Sequence, residues 1–511
     1  MDPLLAGLGA FMDPTVFVST LIGIVAGIVV GLIPGFTVTM GVILVLPFTF
    51  GMTPLQGIAT MMGVAVGGAS GGLISACLIG IPGTPSAVAT TFDGFPMARK
   101  GEPGRALGLG TWASLFGGLI GWVVLAIATP PLAEFGLKFG PWELFALVAF
   151  SITMIASLSG DSLVKGLIAG LLGMLLATVG LDPVLNIPRF SFGNADVEAG
   201  FDFLPVLIGL FGFSQLMTDL EKREDDSGRV SLSLKDIRIP HLQVLRDIWR
   251  SKVVLLWSSI VGAWIGVVPA AGGSIANVLA YDQAKKVSRH REKFGTGHYE
   301  GIIASEAGNN SVGAGDLVPM LALGIPGDAV TAVMLGALLI HGVQPGPQLL
   351  TNPATSPLAW GVIAGYLVAT ILTLAIQFWG MNLFARLVFV PYHVLVPGIL
   401  VLSGLGAFVL NNRVFDILVT LGFGVLGYWL VKHGFGLPPF VIGFLLGPLA
   451  EINLRRAMQT DPSLLRFVDR PISALLLGLA VLSIAYYFWV GYRRIRGGPP
   501  PAAAEAAPGV G

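Results

Sequence analysis

The sequence predicts an all-α polytopic membrane protein, with roughly 10–13 transmembrane helices in two inverted-topology repeats that carry broken or re-entrant helical hairpins. Three observations carry that prediction. Continuous apolar runs occur along the whole chain. Only 11% of residues are charged, against about 25% in soluble domains. The tetrapeptide Gly-Ile-Pro-Gly occurs twice in apolar surroundings, at residues 80–83 and 324–327. Glycine loosens a backbone and proline lacks an N–H, so each copy should interrupt a helix.

The spanning runs come in order at residues 16–33, 106–128, 164–179, 253–268, 358–378, 415–431 and 472–490. Each approaches the ~20 apolar residues that cross a bilayer core. None alternates apolar and polar residues as a spanning β-strand does. Residues 1–220 form the first transmembrane repeat and residues 253–492 the second repeat with the C-terminal helices. Between them, residues 221–252 are a polar linker with an expected amphipathic helix near residues 245–249. Residues 493–511 are a basic end and a low-complexity tail, expected to be disordered. The N-terminus lacks the basic segment of a cleavable signal peptide. Cys77, the single cysteine, lies among small apolar residues and reads as packing.

Internal duplication follows from aligning the two tetrapeptides without gaps. Gly57 then meets Gly301, Ile58 meets Ile302, Gly71 meets Gly315 and Leu73 meets Leu317. Upstream, GLIPG at 31–35 resembles GVVPA at 266–270. Basic residues favour cytoplasmic loops. In the first half they follow the tetrapeptide, as Arg99, Lys100 and Arg105; in the second they precede it, at residues 285–293. The halves therefore read as inserted upside down relative to each other. The cluster Arg493, Arg494 and Arg496 places the C-terminus in the cytoplasm.

Inverted repeats with broken helices are a transporter signature, and the breaks meet near the midplane around the solute. Irregular backbone at that depth must be buried in protein or line a cavity. The candidate substrate-binding residues are therefore Pro34, Gly35, Thr37, Ser70, Gly71, Pro82, Gly83 and Thr84 in the first half. Their second-half counterparts are Gly272, Gly273, Ser274, Pro326 and Gly327. No Lys or Arg lies in these segments, so an anion there would depend on backbone N–H groups, hydroxyls and helix N-termini. Asn309, Asn310, Ser311, Asp316 and Asp328 are the candidate ion-coupling residues, with sodium as a possible ligand and no certain metal site. Acidic residues inside a span are functional candidates; Glu306, Asp316 and Asp328 read as cation ligands, proton carriers or a hydrogen-bonded scaffold. Asp93 reads as a cap or partner near the basic loop.

Other classes are disfavoured. Zero formal net charge implies no nucleic-acid partner. No GxxxxGK[ST] loop is present, six histidines lack metal-ligand spacing, and no nucleophile–base pair is visible, so no enzyme and no cofactor are expected.

The stretches GLIPG, IPGTPSAVATTFDGFPMARKGEPGRALG and EAGNNSVGAGDLVPMLALGIPGDAVTAVMLGALLIHGVQPGP resemble the large membrane subunit of the tripartite tricarboxylate transporters, the TctA family. The resemblance implies a multi-pass protein of the bacterial inner membrane that imports di- or tricarboxylates. It also implies a periplasmic solute-binding protein, a small four-helix membrane subunit, and coupling to a sodium or proton gradient. Two carboxylates near an anion site repel a carboxylate unless a cation or proton neutralises them, so the substrate expected is the wider class of small organic acids. The alternative is a membrane receptor that senses a loaded binding protein without moving solute.

Overall fold

The computed structural model describes residues 3–158, 162–221, 237–268, 272–388 and 392–495. It is helical almost throughout. Among the described residues, seven helices are long and apolar enough to cross a membrane, or eight if one bent pair counts as a span. Shorter apolar helical stretches of 10–17 residues accompany them, among them residues 38–49, 163–176 and 329–340. The tail at 496–511 and most of the linker, 222–236, lie outside the described residues.

The first half contains α1 (Pro14–Leu32), α2 (Val38–Val45), α3 (Pro54–Ile79), α4 (Val88–Arg99) and α5 (Pro103–Gly136). Two further apolar helices follow, α6 (Pro141–Leu158) and α7 (Leu163–Leu176). After the linker come α8 (His241–Arg250), α9 (Lys252–Val267), α10 (Gly272–Val287), α11 (Tyr299–Leu323), α12 (Ala329–Ile340) and α13 (Ser356–Leu387). The C-terminal helices are α14 (Val414–Lys432), α15 (Leu437–Thr460) and α16 (Pro471–Ile495). The amphipathic helix expected in the linker is α8, bent 77° from α9. Arg105 at the start of α5 ties it down through Asp247, at 2.8 Å.

The halves stop and restart their helices in the same places. Ile33 ends α1 in an extended conformation (φ −88°, ψ 114°), and Val268 ends α9 likewise (φ −84°, ψ 114°). Gly80 ends α3 and Gly324 ends α11, each with φ 72°, a left-handed conformation that suits glycine. These are the first residues of the two Gly-Ile-Pro-Gly copies. Each chain then doubles back. A Cβ at Gly83 would meet Ser75 and the backbone of Gly31, while the Thr84 hydroxyl reaches Gly72. A Cβ at Gly327 would lie 2.5 Å from Asp316 Cα. New helices begin from these returns, at Pro85 and at Ala329.

Small residues hold each half together. Glycines 23, 27 and 31 of α1 face the backbone of α3, and glycines 63, 67 and 71 of α3 face that of α1. Gly262, Gly266 and Gly315 do the same between α9 and α11. Such contacts let backbones approach where a Cβ would collide. The long α5 crosses to the other half and lies on α11; a Cβ at its Gly121 would sit 2.7 Å from Ser311 O. Reciprocally, α13 lies on α3, and Gln377 donates Nε2–H to Ser70 O at 3.0 Å.

The start of α3 lies beside the end of α12, and the loop before α11 lies beside α4. Gly57, near the start of α3, touches His341 just past α12. The loop leading into α11 is held by α4: Asp93, midway along it, accepts N–H from Gly295 (3.0 Å), Gly297 (2.7 Å) and His298 (2.7 Å), and Gly297 lies against Met97 nearer its end. Tyr281 donates its hydroxyl to the other carboxylate oxygen at 2.9 Å. Asp93 thus joins the two halves. One feature had no forewarning in the sequence, a hairpin of two-residue strands, β1 (Gly180–Leu181) and β2 (Pro188–Arg189). Asp182, Arg189, Glu451 and Arg455 clamp it to α15.

Candidate functional site

Four helices begin at one cavity of about 440 Å³. Thr37 caps α2 there, its hydroxyl accepting the Met40 N–H at 3.2 Å. Thr84 and Ser86, whose hydroxyls are 3.1 Å apart, bring in the turn that leads into α4. Gly272, Gly273 and Ser274 bring in α10. Asp328 and Thr331 bring in α12 as a capping box: Asp328 Oδ1 accepts the Thr331 N–H and hydroxyl at 2.8 and 2.7 Å. Two of these starts come from each half. The positive end of the helix dipole makes the starts of α2, α4 and α10 attractive to anions, whereas the start of α12 carries the Asp328 carboxylate. Among the described residues no Lys, Arg or His belongs to the lining. The rest of the wall is largely apolar, including Met62, Ala65, Val66, Ala69, Val312 and Leu317.

The cavity gathers some of the residues singled out in the sequence. Thr37, Thr84, Gly272, Gly273 and Ser274 line it, as do Asn309, Asp316 and Asp328. The others lie outside that lining. Pro34 and Gly35 form the turn between α1 and α2, where Gly35 takes φ 92°. Pro82, Gly83, Pro326 and Gly327 shape the two returns, so the broken backbone aims the residues after it rather than lining the cavity itself. Gly71 packs against Ile28. The Ser311 hydroxyl bonds back to Gly308 O at 3.1 Å.

Ser70 and Asn310 belong to a buried network behind the wall. Ser70 donates to Asn310 Oδ1 at 2.9 Å, and Asn310 Nδ2 donates to Ser114 Oγ at 2.8 Å and Glu306 O at 3.1 Å. The Glu306 carboxylate accepts from Thr90 (2.5 Å) and Ser114 (3.1 Å). Satisfied polar networks of this kind fix one packing. Here Ser70, Thr90 and Ser114 from the first half meet Glu306 and Asn310 from the second. Residues 269–271, the start of the expected PAAGGS element, lie outside the described residues.

Sequence reasoning missed part of the wall. Tyr366, Phe211, Pro438 and Ile442 line the cavity from distant helices, and no local pattern marks them. Thr331 could have been found, because it stands at the third helical position after Asp328, the place a capping box requires. Among the described residues no group of three His, Cys, Asp or Glu side chains could hold a metal ion.

Comparison with known proteins places the chain in a family. Residues 17–442 match the Tripartite tricarboxylate transporter TctA family. The chain is 34% identical, over 483 residues, to the uncharacterized 52.8 kDa protein in the TAR-I ttuC' 3' region of Agrobacterium vitis. That alignment covers 94% of this chain and 95% of the relative. It is also 34% identical, over 226 residues, to the uncharacterized protein in the TAR-II ttuC' 3' region of the same organism, covering 44% of this chain and 92% of the relative. No solved structure matches. A multi-pass helical chain whose match runs through both halves and all four helix starts belongs to the TctA family of tripartite tricarboxylate transporters.

Proposed function

We propose that this chain is the subunit through which small organic carboxylates cross the inner membrane, delivered by a periplasmic binding protein and driven by a sodium or proton gradient. One observation carries the reading: four helix N-termini, two from each half, meet at one cavity whose lining, among the described residues, holds no fixed cation. Carboxylate oxygens would take N–H groups and hydroxyls at Thr37, Thr84, Ser86 and Ser274. A small four-helix membrane subunit completes the complex.

Inverted topology is part of the proposal, and several placements support it. The start of α3 lies beside the end of α12, and the start of α11 beside the end of α4. Basic residues gather at the latter end, where Lys100 Nζ donates to Thr296 O at 2.6 Å. Positive charge favours the cytoplasmic side, which assigns that end to the cytoplasm and, through Arg493 and Arg494, the C-terminus too. Solute would then pass as the two returns open the cavity to alternate sides.

The experiment is uptake into sealed vesicles holding this chain and the small subunit, with binding protein, citrate or succinate, and an imposed sodium or proton gradient. Gradient-dependent accumulation is expected, with Thr84→Ala reducing the initial rate about tenfold through one lost contact to a charged group. Tight docking of the loaded binding protein with no accumulation under any gradient would replace transport by the receptor reading.

A further inference from the structure

This inference rests on the transport reading and concerns the charge of what the cavity holds. Asp316 comes from α11 and Asp328 from the start of α12, and the return between them presses the two together. Gly327, the residue before Asp328, has no Cβ, and one built there would stand 2.5 Å from Asp316 Cα. Both aspartates line the cavity.

Their surroundings differ. Asp328 Oδ1 is engaged by Thr331. Asp316 is 2% exposed, yet its Oδ1 meets no hydrogen-bond partner among the described residues. Tyr366, on the same wall, donates its hydroxyl to Asn310 O at 2.6 Å. The backbone of α9 closes the far side, since a Cβ at Gly266 would lie 2.7 Å from Asp316 N. A buried carboxylate needs a pairing partner or a proton, and among the described residues the lining offers no Lys, Arg or His.

The start of α10 lies between these aspartates and the first-half hydroxyls. A Cβ at Gly272 would be 3.7 Å from Asp328 Cβ, and one at Gly273 would be 2.9 Å from Ser86 Cβ. The wall therefore runs from two carboxylates, across a helix N-terminus, to Ser86 and Thr84. That is a negative region next to a positive one. We propose that Asp316 and Asp328 hold a positive charge that travels with the carboxylate, either an alkali cation or an ammonium group of the solute itself. The cavity then takes a charge pair: cation at the aspartates, carboxylate at the starts of α10 and α4.

The test is calorimetric binding to the full-length protein in nanodiscs, with two pairs of probes. Sodium chloride is compared with choline chloride at equal ionic strength, and L-aspartate is compared with succinate, which lacks the amino group. If the cation is inorganic, sodium binds and strengthens succinate binding while choline does neither. If it belongs to the solute, L-aspartate binds more tightly than succinate in choline. In either case Asp316→Asn weakens the favoured probe by about 10- to 100-fold. Asp328→Asn weakens it too, and its amide still caps α12, so this variant decides the matter if Asp316→Asn fails to fold.

Succinate binding that ignores both sodium and the amino group would overturn the proposal. So would a cation preference that survives both substitutions, or no binding of any probe. The transport reading fails separately: sodium or ammonium recognition without uptake of either solute removes import and leaves the cation site, and cation-insensitive uptake of succinate does the reverse.

Discussion

Gly71→Ala tests how closely the cavity wall depends on glycine packing. Gly71 faces α1, and an added Cβ would lie 2.5 Å from Ile28 O, 3.0 Å from Ile28 Cα and 3.1 Å from Ile28 C. All three are backbone atoms, so no side chain can turn aside. Ordinary contact begins at 3.4 Å, so α3 must move from α1 by about 0.9 Å, and forced displacements of this kind cost about 1–3 kcal/mol. At 100° per residue, Ala69 lies on the opposite face of α3 from Gly71, and it lines the cavity. The same movement therefore pushes the wall inward. The assay is thermal unfolding of the purified protein in detergent, run beside solute binding. The control is Gly422→Ala, in mid-α14, where an added Cβ meets nothing within 4 Å and helix propensity favours alanine by about 1 kcal/mol. Gly71→Ala should melt below wild type and bind solute more weakly, and Gly422→Ala should do neither. Equal melting of the two variants would refute the packing argument.

Other consequences are as direct. Asp93→Ala strands three backbone N–H groups at the start of α11 and should cost at least about 2 kcal/mol; faster tryptic cleavage within residues 285–293 reports it, and Asp93→Asn, which keeps an acceptor oxygen, should be milder. Asn310→Ala removes the amide that links Ser70, Ser114 and Glu306, so it should lower the unfolding midpoint more than it weakens binding by the folded fraction. Asp182 is held down to about 2 by N–H groups of Leu185 and Val184 and by Arg455. With the folded value below the unfolded one near 3.9, its contribution is complete above about pH 4 and disappears as pH falls through about 2. Protease resistance of residues 180–200 should therefore persist at pH 4 and decline towards pH 2.

Much of the fold was legible because its breaks are chemical. A left-handed glycine followed by proline stops a helix, and the two Gly-Ile-Pro-Gly copies mark the two places where long helices stop and the chain returns. What the tetrapeptide does not disclose is where its atoms end up. Pro82 and Pro326 make the returns, and the next helix begins beyond them, so Thr84 and Asp328 reach the cavity instead. Asn309 and Asn310 looked alike as adjacent amides. One helical step, 100°, separates them; Asn309 faces the cavity and Asn310 faces α3 and α5. Tyr366 and Ile442 could not be found from local sequence, since their place in the wall is set by how α13 and α15 pack against the halves.

The central claim is that helix starts from the two halves meet at one place, and a cross-link tests it most directly. Ser86 belongs to the first half and Gly273 to the second, and a Cβ at Gly273 would stand 2.9 Å from Ser86 Cβ, so a shift below 1 Å reaches the 3.5–4.5 Å that a disulfide requires. Cys77, the one native cysteine, is buried and stays in place. The protein carrying Ser86→Cys and Gly273→Cys should close an intramolecular disulfide under mild oxidation, one that bound solute slows and that single variants do not form. Both introduced thiols still free after oxidation, or links only between separate molecules, would contradict the account.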